Sequence, residues 1–274
     1  MTMTDLRSQI LSSAAGKVVT ACILADDDGM VVETEMAVAK AESLGLSVEK
    51  FLDEGSQVKK GAEIARFSGS ARQVVLAEEM LIGLMAKPSG IATCVQRFVQ
   101  KTGGKPQIVS GAWKKMPYTM KGSIRRAIVA GGGYYRITRE PFVYLDKNYI
   151  RILGGVRQSL EAVVSLTDCR KVVQLKGRYG NIAEEACAAA QGGASILFID
   201  TGQPNDVRTV REELVRLGLR GNVEIAFGGN VKLDDIDDLK SLDIDILDIG
   251  RQIVDAPLLD MRLEIIDVGT SLHK

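Results

Sequence analysis

The feature that most constrains this chain is a regular alternation of short apolar segments with helical segments between residues 105 and 260. Apolar strands that alternate with helices are typical of a parallel β-sheet buried on both faces. Since crossovers between parallel strands are right-handed, a sheet that closes on itself has all its helices on one side. The pattern predicts a β/α barrel of six or seven strands, with a doubly wound open sheet as the alternative. The predicted strands are 107–110, 127–130, 142–145, 171–175, 196–200, 223–227 and 246–249, and the predicted helices are 159–167, 182–191, 206–217 and 233–240.

Residues 1–104 have a different pattern, in which short alternating strands are separated by glycines and charged turns. Helical spacing over 35–44 ends at Gly45, a typical helix stop. Helical spacing from 76 to 103 is interrupted by the Pro-Ser-Gly run 88–90, which predicts two helices, the second over 91–101. The predicted strands of this region are 21–24, 30–32 and short segments within 51–75.

The change of pattern near residue 105 predicts an N-terminal domain over 1–104 and a barrel over 105–260. Residues 261–274 are predicted to form a C-terminal tail that packs on the N-terminal domain. No apolar run reaches the roughly 20 residues that a membrane helix needs, and residues 1–17 do not resemble a signal peptide. We therefore predict a cytoplasmic protein that does not bind a membrane.

Charge and histidine content exclude several functions. The chain has 35 Lys and Arg residues and 35 Asp and Glu residues, so it has no overall attraction for nucleic acid, which is not a predicted partner. Its one histidine, His273, is one residue from the C-terminus. A mechanism that needs a core imidazole is therefore not expected. Cysteines and histidines form no cluster with metal-ligand spacing, so the residues alone predict no metal ligands.

Glycine-rich turns follow the last two predicted strands: Gly228, Gly229 and Asn230 after one, and Gly250 and Arg251 after the other. In β/α folds the active site lies at the carboxyl ends of the strands, where glycines allow backbone N–H groups to reach phosphate oxygens. The arginine adds a charge-assisted hydrogen bond. We predict that these five residues bind phosphate; the alternative is that the glycines only shape tight turns.

Charged residues at other strand ends are candidates for catalysis. Asp200 ends the strand 196–200, where an acid holds a ribose hydroxyl or a metal-bound diphosphate, or caps the next helix. The basic loop after the first barrel strand contains Lys114 and Lys115, which suit an anionic ligand, although a solvated basic loop is the alternative. Three glycines then precede Tyr134 and Tyr135, which either line a pocket for a planar ring or fill the barrel.

Several sequence motifs together give the chain a family resemblance. The most specific are FLDEGSQVKKGAEIARFSG and EEMLIGLMAKPSGIAT, and they are followed in order by KKMP, AGGG, DKNYI, ILFID, FGGN and DIG. Over nearly its whole length the chain resembles the quinolinate phosphoribosyltransferases, also called nicotinate-nucleotide pyrophosphorylases (carboxylating). The resemblance implies an N-terminal α/β sandwich domain followed by an incomplete β/α barrel. It also implies a homodimer in which one N-terminal domain covers the other subunit's barrel mouth.

The family transfers a phosphoribosyl group from phosphoribosyl diphosphate to quinolinate with Mg²⁺, which makes that diphosphate, or another phosphorylated small molecule, the predicted ligand. By the resemblance, the glycines at 228, 229 and 250 hold the 5-phosphate. Asp200 lies by the ribose and the metal, and Lys114 matches the basic residue before the MP motif. Lys114 and Asp200 are therefore the predicted catalytic residues.

The chain departs from the family where quinolinate carboxylates are bound. Glu79 and Trp113 stand where the family has arginines, and no histidine follows the triple glycine. The residues that remain for substrate binding are Lys115, Arg136, Arg139, Lys147 and Gln174, of which Gln174, near Lys176, stands in the strand that carries a family carboxylate. Each lost charge contact is worth roughly 2–5 kcal/mol when buried. The sequence therefore predicts an acceptor that is not a dicarboxylate, either neutral or cationic.

Three functions are compatible with these residues. The first is a phosphoribosyltransferase-like enzyme with an altered acceptor base. The second is a non-catalytic relative that binds a nucleotide. The third is a different phosphosugar enzyme on the same barrel, because the lysines at 114, 115 and 147 would permit Schiff-base chemistry.

Overall fold

The structure, a computed structural model, describes residues 6–269. The described chain forms two compact units. The first unit comes from Met1–Cys94, Gly122–Gly131 and Ala256–Lys274, and the second comes from Val95–Lys121 and Gly132–Asp255. His273, for which no catalytic role is predicted, lies outside the described residues.

Helices and strands alternate along most of the chain. The helices are α1 (Leu6–Ile10), α2 (Thr34–Ser43), α3 (Ala71–Ala77), α4 (Gly83–Thr102), α5 (Lys121–Ala130), α6 (Lys147–Leu153), α7 (Val156–Glu161), α8 (Ile182–Gln191), α9 (Pro204–Arg216), α10 (Ile236–Leu239) and α11 (Arg251–Val254). The strands are β1 (Val18–Ala25), β2 (Gly29–Met30), β3 (Ser47–Phe51), β4 (Gln57–Val58), β5 (Glu63–Ser70), β6 (Gln107–Val109), β7 (Phe142–Leu145), β8 (Arg170–Leu175), β9 (Ile196–Ile199), β10 (Glu224–Gly228), β11 (Ile246–Asp248) and β12 (Met261–Val268).

The first unit is built on a four-stranded sheet in the order β12-β1-β5-β3. Strand β12, formed by the described part of the tail, pairs antiparallel with β1 from Met261 opposite Ala25 to Val268 opposite Val19. The core of this unit is apolar and fully buried, with Phe67 from the sheet and Met85 from α4 among its larger side chains. A capping box between Ser70 and Gln73 starts α3 directly after β5.

Helix α4 runs without a break through Pro88, so the predicted division into two helices is wrong. Proline removes a backbone hydrogen bond from a helix, but the residues after it are fixed by tertiary contacts. The Oγ atom of buried Ser89 accepts a hydrogen bond from the N–H of Val32 at 3.0 Å. A Cβ atom on Gly90 would lie 1.9 Å from the carbonyl oxygen of Pro257. The Ser-Gly pair therefore permits close packing and does not end the helix.

The segment 127–130 is predicted as a strand but forms the end of α5, so this prediction is also wrong. The buried residues of α5 are Ile124, Ala127 and Ile128, which have the spacing of a helix face. Val129, which a fully buried strand would enclose, is 52% exposed. An apolar run of four residues is too short for periodicity to distinguish a strand from a helix.

The second unit contains a six-stranded sheet in the order β6-β11-β10-β9-β8-β7, and every pair is parallel. The strands follow one another in sequence, and the first is hydrogen-bonded to the last, which is the arrangement of a β/α barrel. Within residues 6–269, β6 and β7 do not pair with each other. The predicted strand 127–130 lies in α5, and after that helix a single parallel bridge joins Tyr134 to Val109. The fold is therefore an incomplete β/α barrel, and the doubly wound alternative is wrong.

Side chains from five of the strands fill the interior of this barrel. The buried cluster consists of Val109, Val172, Ile196, Phe198, Ala226 and Ile246, with Tyr134 and Tyr144 packed against it. Since the alternation of side chains along a strand has a period of two, the next residues on the same face lie at the carboxyl ends of the strands. Among the described residues, no helix is both long and apolar enough to span a membrane.

Candidate active site at the carboxyl ends of the barrel strands

Two acids and a glycine stand in one layer above the barrel core. Phe198, Ala226 and Ile246 are aligned across β9, β10 and β11. Two residues further along each strand, on the same face, the chain places Asp200, Gly228 and Asp248. The sheet register thus gathers polar groups at the edge where β/α barrels carry their active sites.

Asp248, the last residue of β11, is a member of this site that the sequence did not mark, because it lies inside the predicted strand 246–249. Its Oδ1 atom accepts a hydrogen bond from the N–H of Gly111 at 3.1 Å. Burial is the main cause that raises the pKa of Asp248 to about 6, and the charge of Asp200 adds to it. The Gly111 hydrogen bond and the ammonium groups of Lys114 and Lys115 oppose the rise. Strongly perturbed acids of this kind are frequent in functional sites.

Lys114 lies in a short 3₁₀ turn, Ala112–Lys115, that follows β6. Its Nζ atom is 5.8 Å from the centre of the Tyr144 ring, within the range of a cation–π contact. Burial raises the pKa of the Tyr144 phenol far above its usual value, and the carboxylates of Asp200 and Asp248 raise it further. Tyr144 is therefore a neutral hydrogen-bond donor at neutral pH, beside a cation and two acids.

Asp200 is held by one donor from β8 and one from the loop that follows it. The Nε2 atom of buried Gln174 donates to Oδ2 of Asp200 at 2.6 Å, and the ammonium of Lys176 lies 2.8 Å from the same oxygen. Lys176 also donates to the backbone carbonyl of Asp200. Asp200 does not cap the next helix, because α9 begins after Gln203 without a side-chain cap. Of the two roles predicted for Asp200, the capping role is not observed, and the ligand role stays a prediction.

The predicted substrate residues Lys147 and Gln174 come together. The N–H of Lys147 donates to Oε1 of Gln174 at 2.8 Å, so one amide links the start of α6 to Asp200. Asp146 caps α6, because its Oδ1 atom accepts from the N–H groups of Asn148 and Tyr149. Asp146 therefore has a structural role at the start of this helix.

A cavity of about 260 Å³ opens beside Asp200, at the ends of β7 and β8. Its lining residues are Lys147, Ile150, Arg151, Gln174, Lys176, Arg178, Tyr179 and Glu185. Glu185 is 3% exposed, and its two oxygens accept from the four consecutive backbone N–H groups of residues 176–179 at 2.6–3.0 Å. The loop after β8 therefore wraps an internal carboxylate. This fixes the backbone from which Lys176 and Arg178 reach the cavity.

The predicted phosphate loops are tightly packed against a neighbouring loop. The N–H of Gly202 donates to the carbonyl of Gly228 at 3.0 Å, and a Cβ atom on Gly229 would lie 2.4 Å from that same nitrogen. Gly229 and Asn230 have positive φ angles of 111° and 65°. The glycines at 228 and 229 are thus required by packing, as the structural alternative proposed.

Backbone donors nevertheless remain at these loops. Within residues 6–269, no hydrogen bond uses the N–H groups of Gly229, Asn230 or Gly250. Arg251 is turned along its own helix, where its Nε atom lies 2.9 Å from Oδ2 of Asp255. The arginine side chain is 81% exposed, and an exposed pair of this kind is weak. The loops therefore offer N–H groups, and the arginine forms a contact that a ligand can displace.

Arg136 and Arg139 lie against tyrosines. The guanidinium carbon of Arg139 is 4.6 Å from the centre of the Tyr134 ring, and the side chain donates to the Tyr134 hydroxyl at 2.8 Å. The guanidinium carbon of Arg136 is 6.0 Å from the Tyr135 ring centre. Neither arginine lines the cavity beside Asp200. Trp113 completes this aromatic group, since its Nε1 atom donates to the carbonyl of Tyr135 at 2.8 Å.

The residues at Asp200 do not fit the Mg²⁺ ion that the resemblance implies. Among residues 6–269, no group of three or more His, Cys, Asp or Glu side chains is placed to hold a metal. The Oδ2 atom of Asp200 already accepts from Lys176 and Gln174. Divalent magnesium prefers several oxygen ligands, whereas here a lysine ammonium and an amide N–H point at the one carboxylate.

The chain contains one unit with an antiparallel sheet and one unit with an incomplete β/α barrel. Acids and lysines lie at the ends of the barrel strands. These features define the class of the protein, a two-unit β/α-barrel protein. The chain belongs to the quinolinate phosphoribosyl transferase family. The N-terminal domain of that family matches residues 5–89, and its C-terminal domain matches residues 91–264. The resemblance found in the sequence motifs is therefore confirmed.

Individual relatives carry one name. The probable nicotinate-nucleotide pyrophosphorylase [carboxylating] of Methanothermobacter thermautotrophicus is 27% identical, over 95% of this chain and 93% of that protein. The human nicotinate-nucleotide pyrophosphorylase [carboxylating] is 24% identical, over 89% of this chain and 82% of its own.

Solved structures share the fold. The nicotinate-nucleotide pyrophosphorylase of Pyrococcus furiosus has a TM-score of 0.84 at 20% identity, and the match covers 97% of this chain and 75% of that chain. The enzyme of the same name from Francisella tularensis has a TM-score of 0.81 at 18% identity, over 97% of this chain and 91% of its own. The predicted fold class, an N-terminal domain followed by an incomplete barrel, is confirmed.

Proposed function

We propose that the protein is a pentosyltransferase that moves a 5-phosphoribosyl group from phosphoribosyl diphosphate to a ring nitrogen of a planar base. In this reaction the C1–O bond of the donor breaks and its electron pair leaves with diphosphate. The nitrogen lone pair of the base forms the new C1–N bond. The proposal is supported by family membership and by the position of Asp200, Asp248 and Lys114 at one edge of the barrel.

The observation that carries the proposal is that unused backbone N–H groups and two carboxylates occur together at the carboxyl ends of the barrel strands. The N–H groups of Gly229, Asn230 and Gly250 suit the 5-phosphate. Asp200 and Asp248 lie at the carboxyl ends of β9 and β11, the two strands that flank β10, and suit the ribose hydroxyls, which donate hydrogen bonds to carboxylates. Lys114 supplies positive charge close to Asp248, where charge develops as diphosphate departs.

We further propose that the acceptor is less acidic than quinolinate. Glu79 stands where the family has an arginine, and it forms an ion pair with Arg7 at 2.7 Å. This position therefore supplies no positive charge for a substrate carboxylate. Arg136 and Arg139 lie on tyrosine faces, and Trp113 stands in an aromatic group with Tyr135, the two ring centres being 6.2 Å apart. An uncharged planar base gains from aromatic contact, whereas a dicarboxylate needs several unpaired cations.

The proposal is tested with the full chain, phosphoribosyl diphosphate and a panel of bases: quinolinate, nicotinate, nicotinamide and uncharged pyridines. Phosphorus NMR follows the release of diphosphate. We expect release with at least one base other than quinolinate, and loss of release in an Asp200→Asn variant. Faster turnover with quinolinate would overturn the altered acceptor alone. Ligand binding without any release of diphosphate would favour the non-catalytic alternative. The absence of both ligand binding and diphosphate release would refute phosphoribosyl transfer.

The predicted homodimer and the predicted cytoplasmic location stay predictions. Sedimentation velocity of the full chain tests the first, and fractionation of the source cells tests the second.

A further inference from the structure

The cavity at the ends of β7 and β8 carries unpaired positive charge. Four cationic side chains line it, at Lys147, Arg151, Lys176 and Arg178. Among the hydrogen bonds and ion pairs of residues 6–269, none involves the charged group of Lys147, Arg151 or Arg178. The single carboxylate in the lining, Glu185, is already satisfied by four backbone N–H groups. The cavity therefore suits an anion with more than one charge.

Lys176 links this cavity to Asp200. Its ammonium lies 2.8 Å from Oδ2 of Asp200, and both side chains are 25% exposed. The amide of Gln174 donates to the same oxygen at 2.6 Å. Lys176 thus contacts the carboxylate at the end of β9 and also lines the cavity with the other three cations.

The size of the cavity is also appropriate for a small polyanion. A water molecule occupies about 30 Å³ in the liquid, so 260 Å³ admits the nine heavy atoms of a diphosphate. Lysine and arginine donors on α6 and on the loop that follows β8 line that volume. A guanidinium binds phosphate oxygens with two parallel donors, and an ammonium acts as a point charge.

We propose that this cavity binds diphosphate without a divalent cation, and that Lys176 supplies the positive charge beside Asp200 in place of the metal. The inference rests on the proposed function and deepens it. When the C1–O bond of the donor breaks, the electron pair stays on the diphosphate oxygen. Lys176, Arg151 and Arg178 stabilise that charge, and no co-reactant is consumed. Lys176 is thus a specificity-determining residue that makes diphosphate release independent of metal.

Isothermal titration of the full chain with inorganic diphosphate tests the proposal, first in EDTA and then with excess Mg²⁺. We expect the wild type to bind in EDTA at least as tightly as with Mg²⁺. Lys176→Met should weaken binding in EDTA by roughly 10- to 100-fold, because it removes one charged donor. Lys176→Arg should stay within about tenfold of the wild type. The matched control is Lys60→Met, which removes an exposed lysine of the first unit and should leave binding unchanged.

A charge reversal gives the sharper comparison. Lys176→Glu places a second carboxylate beside Asp200, which creates the oxygen ligands that Mg²⁺ prefers. We expect diphosphate binding by this variant to require Mg²⁺, unlike binding by the wild type. Circular dichroism melting in the same buffers establishes that each variant is folded. If Lys176→Met did not fold, the wild-type comparison with and without Mg²⁺ and the Lys176→Arg titration would still decide the matter.

Ribose 5-phosphate separates failure of this inference from failure of the proposed function. Binding of ribose 5-phosphate together with Mg²⁺-dependent diphosphate binding by the wild type would overturn the metal-free site and leave phosphoribosyl transfer standing. An unchanged affinity in Lys176→Met would also overturn the role of Lys176. Absence of binding to both probes would overturn the inference and the proposed function together.

Discussion

The Oδ1 atom of Asp248 accepts a hydrogen bond from the backbone N–H of Gly111 at 3.1 Å, which joins the end of β11 to the loop after β6. One backbone donor only partly offsets the loss of water around a buried carboxylate. The pKa of Asp248 accordingly rises to about 6, mainly through burial and further through the charge of Asp200. The ionised form of Asp248 is therefore held in the folded protein at a cost in stability.

This cost predicts a pH-dependent effect of Asp248→Asn. The folded pKa of about 6 exceeds the reference value of 3.8, so the folded state holds the proton more tightly and loses relative stability as pH rises between these values. Asparagine keeps the acceptor for Gly111 and carries no charge. We expect Asp248→Asn to raise the free energy of unfolding by on the order of 1–2 kcal/mol at about pH 8, and by much less near pH 4.5.

Urea denaturation at both pH values measures this difference. Asp238→Asn, at an exposed position on α10, is the matched control and should give little change at either pH. An equal stabilisation of Asp248→Asn at both pH values would show that the charge of Asp248 is not the cause.

Lys114→Met should reduce catalysis more than binding. The ammonium of Lys114 lies 5.8 Å from the Tyr144 ring centre and acts on Asp248, so it stands where charge develops when diphosphate leaves. Removing one such electrostatic group typically lowers the rate by about 100-fold or more. We expect that loss in kcat for diphosphate release, with KM for phosphoribosyl diphosphate changed by much less. Lys60→Met is the control, and a loss confined to KM would assign Lys114 to binding alone.

Glu185→Ala should destabilise the protein strongly. The Glu185 carboxylate accepts four backbone N–H groups while only 3% exposed, and alanine leaves those donors without an acceptor. We expect a loss of about 3 kcal/mol in the free energy of unfolding. Glu185→Gln should recover part of it, since its carbonyl oxygen still accepts. Glu212→Ala, at an exposed site in α9, controls for helix propensity, and an equal change in both alanine variants would contradict the role of Glu185.

The barrel could be predicted because its strands are apolar on both faces and occur at regular intervals. The segment 142–145 is found as β7 without any shift, and 182–191 is found as α8. The strand predicted at 127–130 is wrong because its apolar residues belong to the buried face of a helix. Four residues are too few to show the period of a helix. The helix break predicted at the Pro-Ser-Gly run within α4 is wrong. The glycine of this run is needed for a close approach to Pro257, about 170 residues away in the chain.

The candidate site was partly predictable for the same kind of reason. The position of Asp200 at a strand end marks it directly, whereas Asp248 lies inside the predicted strand 246–249 and is not marked. The cavity beside Asp200 could not be predicted, because it depends on Glu185 binding the backbone of residues 176–179. That contact fixes the backbone from which Lys176 and Arg178 line the cavity. Tertiary hydrogen bonds of this kind leave no periodic signal in the sequence.

Two glycines of α4 allow a last prediction in which helix propensity and packing act in opposite directions. A Cβ atom on Gly83 would meet nothing within 4 Å, whereas a Cβ atom on Gly90 would lie 1.9 Å from the carbonyl oxygen of Pro257. Helix propensity alone favours alanine over glycine by roughly 1 kcal/mol at either position. Gly83→Ala should therefore stabilise the protein by up to about 1 kcal/mol.

Gly90→Ala should instead destabilise it by about 2 kcal/mol or more, because backbone must move to admit the methyl group. Thermal and urea denaturation of the two variants, side by side, measure the sign of each change. Since both substitutions add the same methyl group to the same helix, their difference isolates the contact with Pro257. Stabilisation by both would mean that α4 and the segment before β12 do not approach each other as closely as the structure describes.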